Sequence, residues 1–236
     1  MSSSADILKQ LKGLGQESIK KVLLKHGIKE PLYGVKVEEL KKIQKKAKFN
    51  YPLSLELYSS GIYDAMYLAG LMAEPEKMSA TDLQKWAELA NAPTLHEYTV
   101  AWVASESNFG KEMALKWIES PDEGIASSGW ATLSSLAAIK EDSELDIPLL
   151  KQLLGRAKKS IHGSQNRVKL TMNSFVIAVG THVKELNELA KQTAKDIGKV
   201  TADKGDTACK VASALEYIQK AESKNAIGKK RKSARC

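Results

Sequence analysis

Cysteine, arginine and long apolar runs are scarce in this chain of 236 residues, and each scarcity excludes something. The two cysteines, Cys209 and Cys236, have no histidine or second cysteine at metal-ligand spacing, so neither a disulfide framework nor a zinc site is expected. Cys209 reads as a small packing residue and Cys236 as a free thiol. No apolar stretch reaches the roughly 18–20 residues that a membrane span needs. The opening MSSSADILKQLKG lacks the charged-then-apolar order of a secretory leader, which predicts an intracellular, cytoplasmic protein (nucleoid-associated if bacterial). There is no glycine-rich phosphate loop and no defensible Ser-His-Asp arrangement. The four histidines, at 26, 96, 162 and 182, form no ligand cluster and read as loop or surface residues. No metal and no cofactor are expected.

Charge is plentiful but unevenly laid out. Residues 1–50 carry twelve lysines against five acids, residues 51–150 five against sixteen, and residues 151–210 twelve Lys/Arg against five. The segment 224–236 adds six cations and no acid, within a total of +8. A basic–acidic–basic chain makes one positive surface if its ends curl toward each other, and such a surface attracts polyanions whatever their sequence. Lysines that merely solvate helix faces are the plainer reading. Arginine is the sharper indicator, because its planar fork grips a phosphate in two places. The four arginines are Arg156, Arg167, Arg231 and Arg235.

Helical periodicity dominates the chain. Glu17 to His26 and Val37 to Lys48 each place apolar residues on one face, Tyr63 to Ala73 is rich in Ala, Met and Leu, and Lys184 to Ile197 reads as a further helix. Pro52 and Pro148 open helices, and Ser79 is placed to cap the helix Thr81 to Ala90. Gly124 and Gly129 interrupt a helix that runs from Pro121 to Lys140. Trp86, Trp102, Trp117 and Trp130 read as core. The segment from Gly198 to Val211 is not helical in pattern. Asp203-Lys-Gly-Asp206 is turn chemistry between two β-capable stretches, which predicts a short hairpin over about 199–211. Ala212 to Ser223 closes the array, and the basic tail 224–236 is expected to be disordered. About a dozen helices on short loops, without heptads, predict an all-α solenoid forming one domain over 1–223.

The stretch SQNRVKLTMNSFVIAVG, from Ser164 to Gly180, stands at the centre of the argument. Val168, Met172, Phe175, Val176 and Val179 make an apolar face, while Asn166, Arg167, Lys169 and Asn173 lie off it. Arg156, Lys158, Lys159 and His162 precede it. A helix N-terminus with open N–H groups and an adjacent arginine suits a phosphate oxygen. The plainer alternative is an amphipathic helix whose polar groups are solvated or bonded to neighbouring turns.

Taken in order, several stretches resemble one family. They are the Tyr33-Gly34-Val35 loop before a lysine-rich helix, Asp64-Ala-Met-Tyr-Leu-Ala69, the helix centred on Trp130, and the Asn166-Arg167 to Met172-Asn173-Ser174 helix. Ile197-Gly-Lys-Val200 and Lys204-Gly-Asp-Thr-Ala-Cys-Lys210 follow. Together they are similar, over nearly the whole chain, to the HEAT-like-repeat DNA alkylation repair family, best known for AlkD-type glycosylases that remove alkylated purines from DNA. The resemblance implies a solenoid of HEAT-like repeats. Where the glycosylases carry Trp-Asp-x-Val-Asp, this chain has Glu97-Tyr98-Thr99-Val100-Ala101. The tryptophan position falls on Glu97 and the aspartate on Ala101. The family arginine falls on Ser128 or Gly129. No catalytic residue carries over, since alanine cannot stabilise a developing sugar cation. Glu97 is the one weak substitute. The expected hairpin resembles that of the non-glycosylase, AlkF/AlkG-like branch, which implies affinity for branched DNA.

The leading expectation is a monomeric DNA-binding protein of DNA repair that reads backbone charge and shape. Its contacts would be Arg156, Lys158, Lys159, His162, Asn166, Arg167, Lys169, Lys199, Lys204, Lys210, Lys230 and Arg231. An alkylpurine glycosylase and a protein-binding helical scaffold are the alternatives.

Overall fold

The computed structural model describes residues 3–203 and 210–235. Its helices are α1 (Ser4–Leu14), α2 (Glu17–Lys25), α3 (Val37–Ala47), α4 (Tyr51–Ser59), α5 (Tyr63–Met72) and α6 (Ala80–Leu89). A π-helical turn, Leu95–Val100, leads into α7 (Ala101–Glu106). Then come α8 (Gly110–Trp117), α9 (Glu123–Ile139), α10 (Ile147–Ser160), α11 (Asn166–His182), α12 (Asn187–Ile197) and α13 (Ala214–Ser223).

Local chemistry sets the starts of several helices. Ser79 accepts from the Asp82 N–H at 3.1 Å, and the Asp82 carboxylate accepts from the Ser79 N–H at 3.0 Å, a reciprocal cap. Prolines occupy the first turns of α4 and α10, where a missing N–H is harmless. Asp122 caps α9, which runs unbroken through both of its glycines.

The helices form two layers. An inner row packs in the order α3, α5, the π turn with α7, α9, α11 and α13. Behind it α4 lies against α5, α8 against α9, and α10 against both α11 and α12. Two apolar cores result, one gathered from residues between Ile7 and Trp117 together with Ala234, and one from residues between Ala114 and Ile218. All four tryptophans are buried, as expected. Tyr58 and Trp86 stack in parallel with centroids 4.0 Å apart, and the Tyr58 hydroxyl donates to the Trp86 carbonyl at 2.9 Å.

Two stretches far apart in sequence prove to be one device. The buried Asp64 carboxylate accepts the N–H groups of Tyr33 at 2.6 Å, Gly34 at 3.3 Å and Val35 at 2.7 Å. Three donors on one buried carboxylate offset its desolvation. Gly34 has φ +77°, and a Cβ there would come within 2.6 Å of the Gln16 carbonyl oxygen. Only glycine suits that corner.

Two expectations need correction. Among the described residues there is no strand, so 199–203 and 210–211 do not form the sides of a hairpin. Their backbone is engaged elsewhere: the Asp203 N–H donates to Asn166 Oδ1 at 2.6 Å, and Asn166 Nδ2 donates to the Asp203 carbonyl at 2.5 Å. The turn itself, with Lys204 and Cys209, lies outside the described residues, as does Cys236. The basic tail is the second case. Instead of trailing into solvent, its described residues 224–235 lie against the body, and Ala234 is buried.

His96 is also not the surface residue expected. It is 8% exposed and so close to Gly124 that a Cβ there would overlap the imidazole. Burial pushes its pKa down to about 4, and Asp122 only partly offsets this. The folded pKa is depressed below the unfolded value of about 6.5, so acidification across that window protonates the unfolded chain first and removes stability. The unfolding free energy should fall by up to about 3 kcal/mol between pH 6.5 and 4 through this residue alone. Urea titrations at pH 7, 5.5 and 4.5 should show a shallower decline in His96→Gln.

Candidate nucleic-acid interface

The His96 contact fixes the turn that carries the next residue, Glu97. The π-helical register of Leu95–Val100 turns the Glu97 and Tyr98 side chains toward a groove on the exposed side of the inner row. π turns recur at functional sites. The groove has a volume of about 400 Å³. Its walls come from Trp102, from Ser134 and Ser135 on α9, and from Thr171, Ser174 and His182 on α11. Serine and alanine at this face of α9 and α11 keep it open. Tyr98 and Tyr217, 47% and 55% exposed, present rings at its mouth. A smaller continuation adds His26, Thr94 and Arg167. The N-terminal part of the chain thus reaches the same groove as α11.

Glu97 and Arg167 meet in this groove. Arg167 Nε donates to Glu97 Oε1 at 2.7 Å, and Nη2 stands 2.6 Å from the same oxygen. The side chains are 20% and 12% exposed, so the pair is largely removed from water. Arg167, expected on a phosphate, is committed to this carboxylate. The first turn of α11 is committed as well, because the Arg167 N–H donates to Glu123 Oε1 at 2.6 Å. The protein's own carboxylate occupies the position proposed for a phosphate. The two asparagines of α11 act as pins. Asn166 holds residue 203, and the buried Asn173 donates to the Ala212 carbonyl at 2.9 Å. Between them they fix both approaches to residues 204–209.

The other expected contacts divide by layer. Arg156 belongs to the outer helix α10, where it pairs with Glu119, donates to the Ile118 carbonyl at 3.0 Å and lies over the Trp130 ring at 5.7 Å. Lys158 pairs with Asp196 at 2.5 Å. Lys159 is exposed on the same helix. His162 Nε2 is 2.8 Å from the Ile197 carbonyl oxygen. None of these four lines the groove. Lys169 is half-buried on α11, and Lys199 and Lys210 are exposed. Lys230 is the clearest departure. Only 9% of its side chain is exposed, held 2.7 Å from Asp142 and 3.0 Å from the Ala137 carbonyl. Arg231, by contrast, is exposed and lines the groove. Beside it, burial, together with Lys230 and Arg231, lowers the pKa of His182.

Sequence reasoning missed Tyr217, His182 and Ser134 as groove residues. A serine- and alanine-rich helix face and an exposed tyrosine on the closing helix were the available signals. At the positions aligned with the glycosylase residues, Ala101 is fully buried, and Ser128 is occupied by the Gly124 carbonyl and His96. Among the described residues no group of three or more His, Cys, Asp or Glu could hold a metal.

Removing one member of the central pair strands the other. Arg167→Ala should cost about 2–3 kcal/mol, somewhat less than the roughly 3–5 kcal/mol of breaking a fully buried pair, because both side chains keep some exposure. Adding Glu97→Ala should recover at least half of the loss, read from denaturant unfolding in a double-mutant cycle.

Comparison with known proteins agrees with this architecture. The family model described as "DNA alkylation repair enzyme" matches residues 7–218. An uncharacterized protein of Listeria innocua is 33% identical over 221 residues, covering 91% of this chain and 95% of its own. An uncharacterized protein of Listeria monocytogenes matches to the same extent. A solved structure, from a new family of proteins related to the HEAT-like repeat DNA glycosylases with affinity for branched DNA structures, superposes with a TM-score of 0.92. It is 36% identical, and the match covers 100% of both chains. The helical layers are therefore HEAT-like repeats, and the chain belongs to the DNA alkylation repair enzyme family.

Proposed function

We propose that this protein binds DNA, branched DNA in preference, along the groove, reading phosphate charge and shape, and that it does not release bases. The observation that carries the reading is the Glu97–Arg167 pair. The groove's central carboxylate is already neutralised by an arginine, 2.7 Å from Nε. A carboxylate so engaged is poorly placed to stabilise a developing sugar cation, which needs a charge held ready for it. The affinity for branched DNA described for the similar solved structure supports the choice of ligand. Exposed Tyr98 and Tyr217 offer rings on which an unpaired base at a junction could stack, a contact indifferent to sequence.

In this reading the phosphate contacts come chiefly from Arg231, which lines the groove, and from the exposed Lys229, with the half-buried Lys169 and the exposed Lys199 and Lys210. The outer-layer group of Arg156, Lys158 and Lys159 contributes a diffuse field. The protein acts as a monomer in the cytoplasm, without a cofactor.

Electrophoretic or fluorescence titrations with duplex, single-stranded and four-way-junction DNA should rank the junction first. Arg231→Ala with Lys229→Ala should weaken all three and reduce the slope of log K against log salt by about 2, at roughly 0.9 per phosphate contact. An unchanged slope would count against these contacts.

A second reading keeps base release, because Glu97 stands in the groove beside Tyr98 and Trp102. It requires free alkylated base to appear from methylated DNA and to be lost in Glu97→Gln. The expected outcome is no release above the level of protein-free controls.

A further inference from the structure

The segment 228–235 follows one edge of the inner row and visits the C-terminal ends of four successive helices. The Gly228 N–H donates to the Thr181 carbonyl at 2.8 Å, in the last turn of α11. Lys230 Nζ and the Arg231 N–H donate to the Ala137 and Ala138 carbonyls at 3.0 and 2.8 Å, in the last turn of α9. Glu106, the last residue of α7, accepts from Ser233 Oγ at 2.6 Å and from the Ala234 N–H at 2.8 Å. Arg235 Nε stands 3.1 Å from the other Glu106 oxygen. Finally, Arg235 Nη1 donates to the Leu71 carbonyl at 3.2 Å, at the end of α5, and its guanidinium lies 5.3 Å from the centre of the Phe49 ring.

A helix end leaves four carbonyls without intrahelical partners and carries partial negative charge. This segment brings N–H donors and cations to three such ends, those of α11, α9 and α5, and binds the terminal carboxylate of α7. Its cations divide sharply. Lys230 and Arg235 are turned inward, with 9% and 12% of their side chains exposed. Lys229, Arg231 and Lys232 face outward. Arg231 lines the groove, and its own N–H is one of the anchoring donors.

We infer that residues 228–235 form a clasp, with Glu106 and Arg235 as its positioning residues, that joins the ends of α5, α7, α9 and α11 and holds Arg231 at the groove as a phosphate-binding group. The DNA part of this rests on the function proposed above; the clasp itself does not.

The test exploits a conflict of sign. Glu106→Ala removes a negative charge, so charge counting alone makes DNA binding tighter. The clasp makes it weaker, because Arg231 loses its placement. Arg235→Ala and Lys232→Ala each remove one positive charge, but only Arg235 is an anchor. Amide hydrogen exchange on the DNA-free protein reads the clasp directly, at Gly228, Arg231 and Ala234. These amides should be protected in the wild type and exchange at least tenfold faster in Glu106→Ala and Arg235→Ala. Glu106→Gln keeps an acceptor for Ser233 and Ala234 and should retain part of that protection.

Junction-DNA affinity should fall about fivefold or more in Glu106→Ala and Arg235→Ala, and less than twofold in Lys232→Ala. Thermal melting of each variant reports whether the helical body is intact. Wild-type amides without protection would overturn the clasp, as would Glu106→Ala protein that keeps full protection. Loss of protection with equal or tighter DNA binding would overturn the placement of Arg231. Wild-type protein that binds none of the DNAs, yet loses protection in Glu106→Ala, would retain the clasp and remove its DNA role.

Discussion

Largely shielded from water, the ion pair between Glu97 and Arg167 sets the character of the groove. The residues are 70 positions apart, and their contact joins the π turn of the first core to α11 of the second. Either charge alone in this setting would be costly, and together they satisfy each other. The groove therefore has a neutralised floor, with Arg231 in its lining as a further cation. A polyanion lying across such a surface meets cations at the edges and small polar side chains and tyrosine rings between them. On the function proposed here, that division serves recognition of backbone path and unstacked bases rather than chemistry at one sugar.

The inner helices face a shared difficulty, because their last carbonyls open toward one edge of the array. Isolated helices leave such groups to water or to local capping residues. Here a single segment serves several ends in turn, and its basic composition suits the negative end of each dipole. The composition that reads as a solvated tail on paper is also the composition that an edge of helix C-termini attracts. The same residues can hold the array together and still present outward cations, because Lys230 and Arg235 turn inward while Lys229, Arg231 and Lys232 face solvent.

Much of the fold was legible in the sequence, since its determinants are local. Apolar spacing, the Ser79 cap and the helix-opening Pro52 and Pro148 marked helices close to where they lie. Tryptophans on apolar faces went to the cores. Features that depend on a distant partner were not legible. Arg167 looks available for phosphate until Glu97 arrives from another helix, and Lys230 looks solvated until Asp142 and the end of α9 are placed beside it. Asn166 looks available for DNA and Asn173 lies off the apolar stripe, whereas they anchor residues 203 and 212. The hairpin expectation failed at its flanks for the same reason, since turn residues do not disclose that a neighbouring helix will take the backbone groups. His96 was misjudged because the space for its ring depends on Gly124, 28 positions later in the chain.

The contact between Arg235 and Leu71 spans 164 residues. During synthesis the first helices leave the ribosome long before their final partner exists, and at roughly 5–20 residues per second the delay is on the order of ten seconds or more. Throughout that interval the end of α5 and the Glu106 carboxylate must rely on water. The first core can condense early, but this edge is completed only when the segment beyond α13 has emerged. A nascent chain arrested just short of it would carry nearly all of its helices and an unfinished rim.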